Sequence, residues 1–208
     1  MEYTENAAVG CVIMASGRAV RFGSNKLLAD FGSAPLIARA LDVTETPALA
    51  ARVVVTRSPE VAELACKAGV KTILHSLPGR NDTVRLGLEA LLSELPRLAG
   101  CIFLPGDQPL LRKESLRAMA RDFSALDEKE RAILRLGFRA EDGTERLGSP
   151  VLFGSRYFGA LCSLPEGKGG GVVIRRHPES VQAVYAARQE ELEDADTVEE
   201  LERLRKLL

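Results

Sequence analysis

The chain has 208 residues and a formal net charge of −1, with Lys and Arg almost matching Asp and Glu. That length supports one well-buried core and is short for two ordinary domains, while the balanced charge argues against non-specific nucleic-acid binding and against a polybasic membrane contact. Trp is absent and aromatic residues make up only 5% of the chain, which leaves little for a base-stacking platform.

No apolar run approaches the roughly 20 residues that a membrane-spanning helix needs. The opening Met1-Glu2-Tyr3-Thr4-Glu5-Asn6 is too acidic and polar to read as a signal peptide, so the expected compartment is the cytoplasm. Cys11, Cys66, Cys101 and Cys162 are scattered without a C-x-x-C pair, and His75 and His177 are far apart. These spacings disfavour a zinc site or a Cys–His nucleophile, and the thiols read as reduced and structural.

Taken in chain order, apolar strand-like runs alternate with helix-like stretches, the pattern of a mainly parallel sheet. Val9–Ala15 is a continuous apolar run and reads as a central strand. Pro35 opens a helix to about Val43, and Arg52–Thr56 is the next strand. Ser58-Pro59 reads as an N-cap with proline at the first helical position, and Gly69 closes that helix. Lys71–His75 is a short strand, after which Asn81 or Asp82 caps a leucine-rich helix over 83–95. Strand Cys101–Leu104 and a helix over about 113–126 follow. Ile133–Arg139 and Arg146–Phe153 flank an Asp142-Gly143 turn and predict an antiparallel excursion. A helix over 154–161, a glycine-rich loop at 167–171, strand Val181–Tyr185 and a helix from 198 complete the chain. The expectation is one domain over 1–208: three-layer α/β, with a mainly parallel sheet and a small antiparallel excursion.

Ligands of open α/β sheets sit beyond the carboxyl ends of the strands. Three chemistry-bearing loops, at 16–26, 76–83 and 105–109, each follow a predicted strand. The first joins Met14-Ala15-Ser16-Gly17 to Arg18, Arg21, Gly23 and Lys26. Small residues let a ligand approach the backbone and leave N–H groups free for anionic oxygens, and the cations add charge. That combination fits a triphosphate. A buried strand followed by a basic surface loop fits the same residues. Two phosphate loops are excluded: Ser24 follows Gly23 where the Walker pattern needs lysine, and the dinucleotide fingerprint lacks a glycine.

In Pro105-Gly106-Asp107-Gln108-Pro109, two prolines hold a carboxylate in a stiff turn at a strand's end. It reads either as a plain turn or as a Mg²⁺ ligand, since Mg²⁺ takes one or two carboxylates with phosphate oxygens and waters. Asp194 and Asp196 alternate, so in an extended segment they share one face, while Thr197 and Glu200 form a capping-box pattern. The two aspartates fit either a metal or the positive end of the following helix.

The loop Ala15, Gly17, Arg21, Phe22, Gly23, Lys26, Leu27, Leu28 resembles the signature of the nucleotidyltransferases, in particular the family that attaches a nucleotide to molybdopterin. Ser16 stands where that family usually has Ala. Leu104–Leu110 looks like its L-x-G-D-Q-P-L, in the form favoured by the cytidylyltransferase branch over the guanylyltransferase branch. Glu193–Leu201 resembles D-x-D-T-P-E-D-L, with Val198 in place of proline. Gly79–Leu88 resembles G-x-x-x-S-L-R-x-G-L, which implies that Asn81, Thr83 and Gly87 contact base and ribose. Helix capping explains Asn81 equally well.

The acceptor region departs most. Ser149 replaces the histidine of G-H-P-V-L-F, and Gly167 and Gly171 replace Asp and Arg of D-K-G-A-R, leaving Glu166 and Lys168 charged. The resemblance implies a Mg²⁺-dependent transfer of CMP from CTP (or a GTP reaction) to a molybdopterin-type acceptor, with a molybdenum hydroxylase as downstream partner. Arg21 would meet the β- and γ-phosphates, Lys26 the α-phosphate, and Asp107 the metal, helped by Asp194 or Asp196. Met14, Ala15, Ser16, Gly17, Arg18 and Gly23 would line the nucleotide, and Ser149, Glu166 and Lys168 the acceptor. A sugar- or polyol-phosphate nucleotidyltransferase and a non-catalytic nucleotide-binding regulator remain as alternatives.

Overall fold

The computed structural model describes residues 7–17, 22 and 25–208. Its frame is a seven-stranded sheet in the order β3-β2-β1-β4-β6-β5-β7. The strands are β1 (Val9–Ala15), β2 (Ala51–Thr56), β3 (Lys71–Leu74), β4 (Gly100–Pro105), β5 (Ile133–Arg139), β6 (Glu145–Gly154) and β7 (Val181–Tyr185). All run in one direction except β6, which lies antiparallel between β4 and β5. The predicted excursion is thus a hairpin sewn into the sheet, closed by Ala140–Thr144 backbone pairing.

Alternation along β1 shows why its whole run is apolar. Cys11, Ile13 and Ala15 enter one core and Val12 the other, so both faces are buried and only Met14 keeps partial exposure. Helices α1 (Ile37–Val43), α2 (Pro59–Lys67), α4 (Lys113–Ser124) and α7 (Val198–Arg205) cover the first face. The second face carries α3 (Arg80–Glu94), α5 (Phe158–Cys162) and α6 (Gly171–Arg176). Among the described residues no helix is long and apolar enough to cross a membrane.

Two local expectations change. Helix α3 begins at Arg80 with Gly79 as its N-cap residue, so neither Asn81 nor Asp82 caps it from outside. Asp82 instead sits inside the first turn, its carboxylate accepting the Gly79 N–H at 3.0 Å. The glycine-rich loop is one residue shorter than expected, because Gly171 opens the six-residue helix α6, which runs on to Arg176. Its β-branched residues are poor helix formers, and burial of Val173 in the second core overrides that preference.

Gly87 is a packing residue of α3. A Cβ there would lie 2.4 Å from Val12 Cγ1 and 3.1 Å from Val55 Cγ2, so only glycine lets the helix sit this close to β1 and β2. Gly87→Val should lower the unfolding free energy by about 1–3 kcal/mol in a denaturant titration. Unchanged stability would mean that the close approach is not required by packing.

Candidate active site

The chain reverses its winding direction between β1 and β4, whose neighbouring carboxyl ends open the crevice typical of such sheets. After β4, Gly106 donates its N–H to Met14 O at 3.0 Å, and a Cβ at Gly106 would crowd that same oxygen at 3.3 Å. Asp107 is thereby pinned over the end of β1. Its carbonyl accepts the Ala195 N–H at 2.9 Å, which draws the segment bearing Asp194 and Asp196 against the same turn.

Lys26 joins these segments. It begins a short 3-10 turn (Lys26–Leu28) whose first turn is capped by Asn25, the side chain accepting from Leu27 N at 3.2 Å. The Lys26 ammonium lies 2.5 Å from Asp107 Oδ2 and 2.7 Å from Asp196 Oδ1. Burial alone would depress its pKa, but the Asp107 charge and the two carboxylate hydrogen bonds outweigh burial and raise it. Lys26 is therefore firmly cationic.

Asp194 is the third carboxylate beside this ammonium. By surface area this residue is exposed, yet local desolvation, then the charges of Asp107 and Asp196, push its carboxyl up to about 6 against the counteracting Gln108 hydrogen bond and Lys26. Among the described residues, no group of three or more His, Cys, Asp or Glu side chains is arranged to hold a metal ion. The Lys26 ammonium stands in the gap between two of the carboxylates. Thr197 and Glu200 form the predicted capping box, with Glu200 N bonded to Thr197 Oγ1 at 3.1 Å, so neither aspartate is consumed as a cap.

The remaining predicted positions divide. Ser16 turns its hydroxyl inward, donating to Val55 O at 3.0 Å and meeting His75 Nε2 at 2.8 Å. Its side chain therefore braces β1 against β2 and β3, leaving only its backbone to the loop. Gly17 faces open space, with no atom within 4 Å of a notional Cβ. Thr83 is buried in α3, and Asn81 accepts the Gly167 N–H at 2.9 Å, tying the glycine-rich loop to the start of that helix. Met14, Ser149 and Lys168 line one cavity, while Glu166 is exposed and outside its lining. Arg18, Arg21 and Gly23 lie outside the described residues.

Three supporting residues were not anticipated. His75, kept below its ordinary pKa by burial and then by the Arg57 charge, is the partner of Ser16. Gln108 is buried and donates to Ser149 O at 3.3 Å, linking the Asp107 turn to β6. Glu191, only 1% exposed, accepts from Arg112 N at 3.1 Å and from Ser115 Oγ at 2.5 Å. It caps the start of α4 from a distant segment and so fixes the stretch that leads into Asp194. Gln108 lay within a motif and could have been flagged, but Glu191 left no local signal.

Residues 11–181 match the family described as the MobA-like NTP transferase domain. The chain belongs to this family. No curated protein matches its sequence. Among solved structures it is similar to Rv0371c from Mycobacterium tuberculosis H37Rv, at 25% identity over 96% of this chain and 98% of that one, with a TM-score of 0.74. A manganese complex of Rv0371c also matches, at 21% identity over 97% and 100% of the two chains, with a TM-score of 0.68. A nucleotidyl transferase from Methanothermobacter thermautotrophicus superimposes with a TM-score of 0.78, at 19% identity over 96% and 97%. The CMP:2-keto-3-deoxy-manno-octonic acid synthetase complexed with CTP gives a TM-score of 0.74, at 16% identity over 96% and 98%. This MobA-like domain is thus a nucleotidyltransferase domain by family, with its charged cluster at the end of β1.

The raised Asp194 value makes a signed prediction for the metal-free protein. Its carboxyl titrates near 3.9 when unfolded and about 6 when folded. Stability is therefore full below the unfolded value and declines as pH rises to about 6, because the unfolded chain releases the proton first. Asp194→Asn should raise the melting temperature at pH 7.5, and that gain should vanish below about pH 4. A gain of equal size at both pH values would refute the charge explanation.

Proposed function

We propose that the chain is a divalent-metal-dependent cytidylyltransferase of the cytoplasm that transfers CMP from CTP to a phosphate-bearing acceptor of the molybdopterin type. A molybdenum hydroxylase would be the downstream partner. The observation that carries this reading is the Lys26 ammonium between Asp107 and Asp196, beside Asp194, at the end of β1. Gly106-Asp107-Gln108-Pro109 supports the choice of CTP.

The donor set fits a small hard cation. Three carboxylates exceed the single ammonium they face, and the Asp194 carboxyl is pushed up by desolvation and then by the Asp107 and Asp196 charges. Mg²⁺ usually takes one or two protein carboxylates and completes its shell with phosphate oxygens and waters. Asp107, with Asp194 or Asp196, would hold Mg²⁺ in that way. When bound, the cation supplies charge neutralisation to the phosphate oxygens. A manganese complex of the similar Rv0371c supports a divalent ion of this kind.

The chain's own groups do the positioning. Open space at Gly17 admits a phosphate close to the backbone, where N–H groups meet its oxygens. Arg21 binds the β- and γ-phosphates. Lys26, once phosphate oxygens share its carboxylate partners, turns its charge to the α-phosphate. An oxygen of the acceptor's phosphate then forms a bond to the α-phosphorus, the bond to the bridging β-phosphate oxygen breaks, and pyrophosphate leaves. Such a displacement needs alignment and charge stabilisation and no nucleophilic side chain.

With Mg²⁺ present, CTP should raise the melting temperature more than equal concentrations of GTP, ATP or UTP, since a ligand of the folded state shifts unfolding. A larger shift with GTP would overturn the cytidylyl assignment. Lys26→Ala should lower the rate at saturating nucleotide by about 10²–10³-fold. A wild-type rate at saturation would reduce Lys26 to a binding residue.

A further inference from the structure

Beside the carboxylate cluster lies a cavity of about 470 Å³ whose charges have a single sign. Arg80 from the start of α3, Arg135 from β5, Lys168 from the glycine-rich loop and Arg175 from α6 all line it, and no acidic residue does. Its floor is apolar, formed by Met14, Phe103, Val151 and Phe153. None of the four cations has a carboxylate partner within salt-bridge distance among the described residues. The cavity borders the reaction site on two sides: Met14 O holds the Gly106 N–H, and Gln108 Nε2 holds Ser149 O.

The four cations are not equivalent. Arg80, Lys168 and Arg175 are exposed at the rim, whereas Arg135 is half-buried within the sheet. Its Nη2 donates to Leu147 O at 3.1 Å and its Nε to Gly148 O at 3.4 Å. Those bonds orient the guanidinium and leave Nη1 without a protein acceptor among the described residues. The β5–β6 register shifts between Arg135 and Gly137, which exposes the Leu147 and Gly148 carbonyls to this one side chain. A fixed, partly desolvated guanidinium with spare donors is a receptor for a planar or tetrahedral anion. Burial lowers its pKa from the ordinary arginine range, and a guanidinium keeps its charge inside proteins.

We propose that this cavity holds the body of the acceptor, and that Arg135 binds a second anionic group of that molecule, separate from the phosphate that attacks CTP. The acceptor class is a small molecule with two anionic groups on a partly apolar frame. A polyol phosphate, with its phosphate as the single anionic group, would leave Arg135 unmatched and the apolar floor wetted. This inference rests on the nucleotidyltransferase reading for the identity of the attacking phosphate, but its test does not need turnover.

Two probes separate the charge from the ring: phenyl phosphate, and 4-carboxyphenyl phosphate, which adds only the second anion. Calorimetry on the full chain without nucleotide should show the carboxylated probe binding about tenfold or more tightly. Arg135→Met should erase that difference and leave the affinity for phenyl phosphate nearly unchanged. Arg135→Lys, which keeps the charge but not the fork, should restore part of it. Circular dichroism and melting of each variant report whether it folds, and the Lys variant preserves the test if the Met variant does not. Equal affinity of the two probes for the wild-type chain, or a preference that survives in Arg135→Met, would overturn the proposal. So would loss of the CTP-induced melting shift in Arg135→Met, because the cavity would then belong to the nucleotide. A wild-type chain that shows no CTP shift but keeps the Arg135-dependent preference would instead reject the nucleotide reading alone.

Discussion

The Lys26 ammonium is the point on which the site depends. It meets Asp107 and Asp196, so one side chain gathers the loop after β1, the turn after β4 and the segment before α7. Two unpaired carboxylates this close would repel, and an isolated buried ammonium would be costly. Each group is tolerable because the others are there. The pKa of Asp194 beside them is raised to about 6, by desolvation first and then by the charges of Asp107 and Asp196.

The same cluster can form only because the sheet beneath it is rigid. β1 and β4 are buried on both faces and run side by side, so their carboxyl ends are fixed relative to each other. Gly87 lets α3 seat closely on β1, and Gly106 lets the Asp107 turn close on Met14 O. Glu191 then locks the far segment to α4 with a buried carboxylate, a contact that spans 79 positions in sequence to Arg112. Precision at the surface thus derives from contacts that never touch a ligand.

Charge is also divided in space. Carboxylates cluster around Lys26, while the adjoining cavity carries only cations above an apolar floor. The two regions meet at Met14 and at the Gln108–Ser149 contact.

Much of this was legible in the sequence. The doubly covered strand β1 follows from its unbroken apolar run, the proline-bracketed Asp107 from its turn residues, and the Thr197–Glu200 cap from spacing alone, because each is decided within a few residues. Its fold class followed from the alternation of strand-like and helix-like runs. What the sequence could not decide was partnership. That Asn81 would serve Gly167, that Ser16 would turn inward to His75, and that β6 would insert between β4 and β5 depend on contacts across 40 to 90 positions. Arg135 and Glu191 carry no local signature, since an arginine in a strand or a glutamate in an acidic run looks the same whether solvated or held. Only the tertiary structure assigns them, because burial and the choice of hydrogen-bond partner are properties of the packed chain and not of any segment within it.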